Sequence, residues 1–264
     1  MINVIIFSKD RAAQLDLTLS TLKKYFMGWK DQQYTIIYKY SNDFFRIGYE
    51  RCKALHPEFK WIFETNFRQD TIAAYNSHGG RPLTTFIVDD DVFINHFTLD
   101  SPEVRAFLVN PDIYCVSPRL APYVNFCFTE NRSQPQPQFN ADRSWNWKGL
   151  SGDWGYPPSI ASFQIFRTAS LAYLNNMNFR GPNSLEGGMC GNMPSENLMI
   201  CFENQKCICS TNNKVQTENG NHHSNTDPLD YLNAEFLKNR RLSTEVNHGI
   251  VYNMCHGPLK YVWA

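Results

Sequence analysis

Nowhere in this chain does an apolar run approach the roughly 20 residues that a membrane-spanning helix needs. The opening MINVIIF has neither the length nor the flanks of a secretory signal, so a cytoplasmic location is expected. Charge of one sign is missing too: 25 Lys and Arg balance 25 Asp and Glu. That balance excludes bulk electrostatic binding to nucleic acid or an anionic membrane and leaves room only for a local basic site. The eight cysteines lack a pairing pattern. Cys207 and Cys209 could be grouped with Cys190, Cys201 and Cys255 as a zinc site, but no second close pair matches them, and reduced thiols are the simpler reading. There is no internal repeat, and SQPQPQ is the one low-complexity fragment. What is present suits a single globular domain over 1–264: 42% hydrophobic and 19% charged residues, in a chain long enough to bury a sizeable core.

The first half alternates strand and helix patterns. INVIIF predicts a strand, and DRAAQLDLTLSTLKKYF a helix with Leu15, Leu19, Leu22 and Phe26 on one face and Asp10 as its N-cap. YTIIYKY (34–40) predicts a second strand, and NDFFRIGYERCKAL a helix stopped by Pro57. KWIFE (60–64) predicts a third strand, and NFRQDTIAAYNS a helix closed by Gly79, Gly80 and Pro82. TTFIV is a fourth strand. This order implies a mainly parallel sheet with helices on both faces, and in such sheets ligands bind outside the carboxyl ends of the strands. The second half is less regular. Strands are expected over 112–118 and 162–167, helices over TASLAYLNNM and DPLDYLNAEFLKNRR, and a short helix from PNSLEGG capped by Asn183 or Ser184. The long polar stretch 119–158 is expected to be a mobile lid.

The strand ends carry the chemistry. Strand one runs into Ser8-Lys9-Asp10-Arg11, strand two into Ser41-Asn42-Asp43, and strand three toward Thr65-Asn66 and Arg68. Strand four runs straight into Asp89-Asp90-Asp91. Taken singly, each of these polar ends could be a helix cap or a solvated loop. Three adjacent carboxylates, however, repel one another unless a positive group neutralises them, and a hard divalent cation shared with a phosphate does so.

SKDRAAQLDLTLSTL after the first strand and VDDDVFI on the fourth resemble the GT-A class of nucleotide-sugar glycosyltransferases, most closely the family-2-like enzymes of bacterial and viral glycan assembly. SFQIFR, GPNSLEGG and NNKVQTENGN resemble later segments of the same group, so the likeness spans most of the chain. Asp89-Asp90-Asp91 satisfies the aspartate-any-aspartate pattern of that class. The resemblance implies a Rossmann-like three-layer α/β sandwich, with a nucleotide-sugar-binding half at 1–118 and an irregular acceptor-binding lobe at 119–264. It implies that Asp89 meets the ribose or bridges to the nucleotide, that Asp91 binds Mn2+ or Mg2+ on the diphosphate, and that Asp90 belongs to the same donor site. Asp43 and Arg68 would flank the base, with Ser8 and Arg11 nearby. A C-terminal histidine often completes the metal site in this class; His256 in CHGP is the candidate, with His248 as a second, while His222 and His223 read as surface loop.

The implied reaction moves a sugar from a nucleotide-diphosphate donor, UDP favoured with GDP and dTDP open, to a hydroxyl of a glycan or other acceptor. If configuration inverts, one carboxylate must take the acceptor proton. Two candidates are Glu186, in the expected first turn of its helix, and Asp153, in the aromatic loop SGDWGYPP; Glu186 is preferred as the base and Asp153 as an acceptor or donor sugar contact, with a helix-dipole role and a turn role as their plain alternatives. Trp145, Trp147 and Trp154 could form an acceptor platform but are more simply core. A sugar nucleotidyltransferase would carry a glycine-rich loop where FSKDRAAQL has none. An aspartyl-phosphate phosphatase would place its aspartates after the first strand rather than the fourth. A non-catalytic sugar- or nucleotide-binding module is the remaining alternative.

Overall fold

Strand β1 (Ile2–Lys9) sets the layering through its period of two. Ile2, Val4 and Ile6 enter one hydrophobic core, and Ile5 and Phe7 enter another on the opposite face. Asn3, on the second face and fully buried, is tied by its amide nitrogen to the Ala74 carbonyl at 3.1 Å. A computed structural model describes residues 1–213, 226–245 and 253–264.

The elements follow in the order α1 (Ala12–Tyr25), β2 (Gln33–Lys39), α2 (Asp43–Leu55), β3 (Lys60–Phe63), α3 (Phe67–Asn76), β4 (Leu83–Val88), β5 (Asp91–Phe93), α4 (Pro102–Val109) and β6 (Ile113–Ser117). The second half adds β7 (Phe126–Cys127), β8 (Arg132–Ser133), β9 (Ser144–Asn146), β10 (Ile165–Arg167), α5 (Pro182–Gly191), β11 (Leu198–Cys201), β12 (Cys207–Ser210), α6 (Leu229–Leu237), β13 (Leu242–Glu245), β14 (His256–Gly257) and β15 (Lys260–Trp263). The main sheet has eight strands in the order β3-β2-β1-β4-β10-β6-β11-β9. Strands β3, β2, β1 and β4 are parallel, β10 runs antiparallel between β4 and β6, and β6 and β11 are again parallel. Leu15, Leu19, Tyr49, Phe107 and Phe236 of α1, α2, α4 and α6 share the first core, while α3 and α5 contribute Tyr75, Leu185 and Met189 to the second. The architecture is therefore a three-layer α/β sandwich with a mainly parallel sheet. Among the described residues no helix is long and apolar enough to cross a membrane. All eight cysteines are free.

The structure departs from the expectations at several points. Asp10 does not cap α1. It sits at φ 57° and turns its carboxylate to β2, accepting from the Ser41 amide at 2.7 Å and the Ser41 hydroxyl at 2.5 Å. Arg11 is the N-cap residue of α1 instead. Thr168–Asn175 winds as a 3-10 helix rather than an α-helix. The stretch 119–158 is not a loose lid: it carries β7 to β9 and buries all three of its tryptophans. Trp145 and Trp154 meet edge to face at 5.0 Å, each indole donating to a backbone carbonyl, which makes them core and not a sugar platform.

A buried ion network fastens the C-terminal segment to the first half of the chain. Asp16 on α1 accepts from His56 at 2.8 Å and, in a bidentate pair, from Arg241 at 2.9 and 2.6 Å. Burial alone would raise the Asp16 carboxyl, but the hydrogen bonds from His56 and then Arg241 outweigh it and hold the group below its ordinary value of 3.8. A depressed carboxylate contributes stability that is present above the unfolded value and lost as pH falls through the folded one. Asp16→Asn is therefore expected to lower stability at pH 7 by about 2 kcal/mol, less than a wholly buried pair would lose because Arg241 remains partly in solvent. Chemical denaturation at pH 7 and at steps below pH 4 should show a shallower acid loss in the variant than in the wild type.

Candidate nucleotide-sugar site

The acidic turn after β4 is built by its own carboxylates. Asp91, fully buried, accepts from the Val88 amide at 3.0 Å, which closes the turn from β4 into β5. The same side chain accepts from the Ser162 amide at 2.6 Å and its hydroxyl at 3.2 Å, joining the turn to the segment before β10. Asp89 accepts from the Lys9 amide at 3.1 Å and from Arg11 at 3.1 Å. Asp90, the most accessible of the three, accepts from the same Arg11 nitrogen at 2.6 Å. Arg11 spends its other terminal nitrogen on the Asn213 carbonyl at 2.6 Å.

One guanidinium thus pairs with two of the three carboxylates, Asp89 and Asp90. Burial would lower Arg11, yet the charges of Asp90 and then Asp89 hold it above its ordinary value. Burial raises Asp89 above the carboxylate range, with Arg11 pulling against it. Burial, and then the charge of Asp90, push Asp91 up to about 8. Raised carboxylates beside an arginine that cannot balance them are what a divalent cation would relieve. The ligand atoms of Asp90, Asp91 and Cys209 lie within 4.8 Å of one another. The donor set therefore fits Mn2+ or Mg2+ in its carboxylates, with Asp90 the reachable ligand. Asp91 fits only if it gives up part of its backbone anchoring.

A cleft of about 310 Å3 opens beside this turn, over the carboxyl ends of the parallel strands. Phe7, Ile37 and Phe67 give it an apolar floor, and Ser8, Lys9, Lys39, Glu64 and Asp89 line its polar parts. Arg180 and Gly181, with Pro182 and Asn183 at the start of α5, close the other side. Ser8 is held by the Tyr49 hydroxyl at 2.6 Å. Ser8, Arg11, Asp89, Asp90 and Asp91 therefore come together as the strand-end pattern implied. Asp43 and Arg68 do not join them. Asp43 is in solvent on α2, paired with Arg46 at 2.8 Å, and Arg68 donates to the Met177 and Asn175 carbonyls at 2.8 and 2.9 Å. Lys39 and Glu64 stand at the cleft instead, paired at 3.0 Å. Lys39 closes the β2 run and Glu64 follows the β3 run, so the signal lies in the strand-end residues themselves and not in the loops after them.

The second-half candidates separate. Helix α5 begins at Pro182 behind Gly181, earlier than a cap at Asn183 or Ser184 would give, because proline suits the first helical position. Ser184 instead accepts from the Arg180 and Gly181 amides at 2.8 and 3.0 Å. Glu186 consequently lies in the second turn rather than the first, where it is part-exposed and accepts from the Ile160 amide at 3.0 Å. Asp153 is not a sugar contact. It is buried against Arg119 at 3.1 Å and Gln134 at 3.1 Å, so no hydroxyl ligand can reach it. Burial opposes its ionisation, but the His256 hydrogen bond and the Arg119 charge hold it well below the usual carboxylate range. His256 lies in one cross-strand row with Cys209 and Asp91. That puts it two strand spacings, ~10 Å, from Asp91. Its ring nitrogen faces Asp153 at 3.5 Å and the Cys255 sulfur at 3.3 Å, so it does not join the aspartates as a third ligand. His222, His223, His248 and most of NNKVQTENGN lie outside the described residues.

No family model matches the chain. In sequence it is similar to the bifunctional glycosyltransferase pgtA of Dictyostelium discoideum, with 25% identity over 92% of this chain. The match covers 36% of that protein, so the chain spans about a third of the curated relative's length. In structure it is similar to S. aureus TarS in complex with UDP-GlcNAc, with a TM-score of 0.51 and 12% identity, over 86% of this chain and 61% of that one. A second TarS structure gives a TM-score of 0.50 and 13% identity, over 80% and 60% of the two chains. The chain thus has a GT-A-like α/β fold, and in sequence it is similar to a glycosyltransferase.

Proposed function

We propose that this chain is a glycosyltransferase that seats a nucleotide-diphosphate sugar in the cleft over β1, β2, β3 and β4 and passes the sugar to a hydroxyl acceptor. The observation that carries the reading is the acidic turn of Asp89, Asp90 and Asp91 at the edge of that cleft. Such an edge is where open parallel sheets bind ligands. Lys9 and Arg180 add positive charge to the same cleft, which suits a diphosphate.

Asp90, with Asp89 and Asp91 behind it, would hold Mn2+ or Mg2+, and such a cation offsets the charge that develops on a departing diphosphate. Arg11 keeps the carboxylates together and aimed. Glu186 is the proposed base of an inverting reaction. Its carboxylate is partly exposed, with one oxygen fixed by the Ile160 amide and the Tyr156 hydroxyl beside it. The resemblance favours UDP as the donor nucleotide and leaves GDP and dTDP open, so the choice among them falls to the polar groups at the base end of the cleft.

Nucleotide binding should require Asp90. In calorimetric titrations of UDP, GDP, dTDP and CMP with and without Mn2+, one diphosphate should bind with metal, and Asp90→Asn should weaken it at least about tenfold while the circular dichroism spectrum stays that of the wild type. Absence of metal-dependent binding to every nucleotide would overturn the reading in favour of a non-catalytic module. Asp91→Ala should behave differently, losing about 2–4 kcal/mol of stability because it leaves the buried Val88 and Ser162 amides without an acceptor. Glu186→Gln keeps an oxygen for the Ile160 amide, so donor affinity should hold while transfer falls by about a hundredfold or more. Transfer at wild-type rate in that variant would place the base elsewhere.

A further inference from the structure

We infer that Lys39 and Glu64 read the nucleobase of the donor and that they select guanine, an inference that rests on the donor-cleft reading above. The cleft has two polar ends. At one are Asp89 and its neighbours, following β4; at the other are Lys39 at the end of β2 and Glu64 just past β3. The strand order β3-β2-β1-β4 separates these ends by two strand spacings for Lys39 and three for Glu64, ~10–14 Å. A nucleoside diphosphate laid along the strand ends spans such a distance, with its phosphates toward the aspartates and its base toward Lys39 and Glu64.

The floor between the ends suits that pose. Phe7 and Phe67, with ring centres 4.9 Å apart, and Ile37 offer an apolar surface to a base face. Lys39 and Glu64 then meet the base edge. They are held near one another by their own ion pair at 3.0 Å, and the carboxylate is the less exposed of the two, 18% against 45%.

The pairing chemistry discriminates among bases. A carboxylate accepts only, and an ammonium donates only. Guanine alone among the common bases offers two adjacent donors, the ring N1–H and the 2-amino group, to the two oxygens of one carboxylate. Its O6 lies beside them as the acceptor for the ammonium. Uracil offers a single N–H flanked by two carbonyls, so one carboxylate oxygen would face a carbonyl oxygen. Adenine and cytosine offer one amino group next to an acceptor nitrogen, which again leaves a carboxylate oxygen facing a lone pair. Guanine makes three charge-assisted contacts where the others make two and add a repulsion.

The test uses GDP, inosine diphosphate and UDP, each titrated calorimetrically with Mn2+ into the wild type, Glu64→Gln and Lys39→Met. Inosine diphosphate differs from GDP only in lacking the 2-amino group. GDP should bind about tenfold tighter than either of the others. Glu64→Gln should bring GDP and inosine diphosphate to equal affinity, because an amide cannot accept from both guanine donors. Lys39→Met should weaken both purine nucleotides together. UDP binding as tightly as GDP, with that binding lost in Asp90→Asn, would overturn guanine selection and leave the donor cleft standing. Failure of all three diphosphates to bind would overturn both readings. Both side chains are partly in solvent at strand ends, so unchanged circular dichroism in the variants is the expected control.

Discussion

Arg11 is the interaction on which the rest of the site depends. It stands between the end of β1 and the start of α1, and its guanidinium reaches Asp89, Asp90 and the Asn213 carbonyl at once. The first strand, the fourth strand and the segment after β12 are thereby pinned around one positive charge. Without it, adjacent carboxylates would repel and the turn would splay; with it, they stay close and under-neutralised. That residual negative charge is what makes the turn attractive to a cation, so the stability of the turn and its chemistry have the same origin.

The three aspartates divide the work by burial rather than by chemistry. Asp91 is a strut: it holds two backbone amides and is cut off from solvent. Asp89 faces the cleft while bonded to Arg11 and the Lys9 amide. Asp90 is the most exposed of the three, its oxygens accepting from Arg11 and from the Cys209 thiol. A sequence shows three equal letters here, and only the packing ranks them. Asp153 teaches the same lesson at a distance. Its partner Arg119 is 34 residues away, so a loop aspartate that read as a sugar contact proves to be half of a buried ion pair.

The front of the chain was legible because its signals are long and repeated. Eight-residue β1 alternates between two cores, α1 shows its apolar stripe over fourteen residues, and the strand–helix order recurs. The aspartates were legible because like charges at a strand end need a reason. The back of the chain resisted because its strands β5, β12 and β14 have three, four and two residues, too few for a period to show. They form a small sheet of their own, in the order β14-β12-β5, in which β5 and β12 pair across more than a hundred residues. Helix α4, with a serine cap and a proline start at Ser101-Pro102, carried a readable signal that went unused.

Strand β10 has a consequence for the order in which the chain can fold. Three residues, Ile165–Arg167, run against the direction of the sheet and fill the gap between β4 and β6. Until they emerge during synthesis, Leu83, Thr84 and Thr85 present an unpaired strand edge, open to any other extended chain. The parallel core built by the first four strands therefore waits for a stitch encoded some eighty residues later, and such distant closure slows folding. A growing chain needs protection over that interval, and the strand that supplies it also brings along Ser162, the residue that locks the acidic turn.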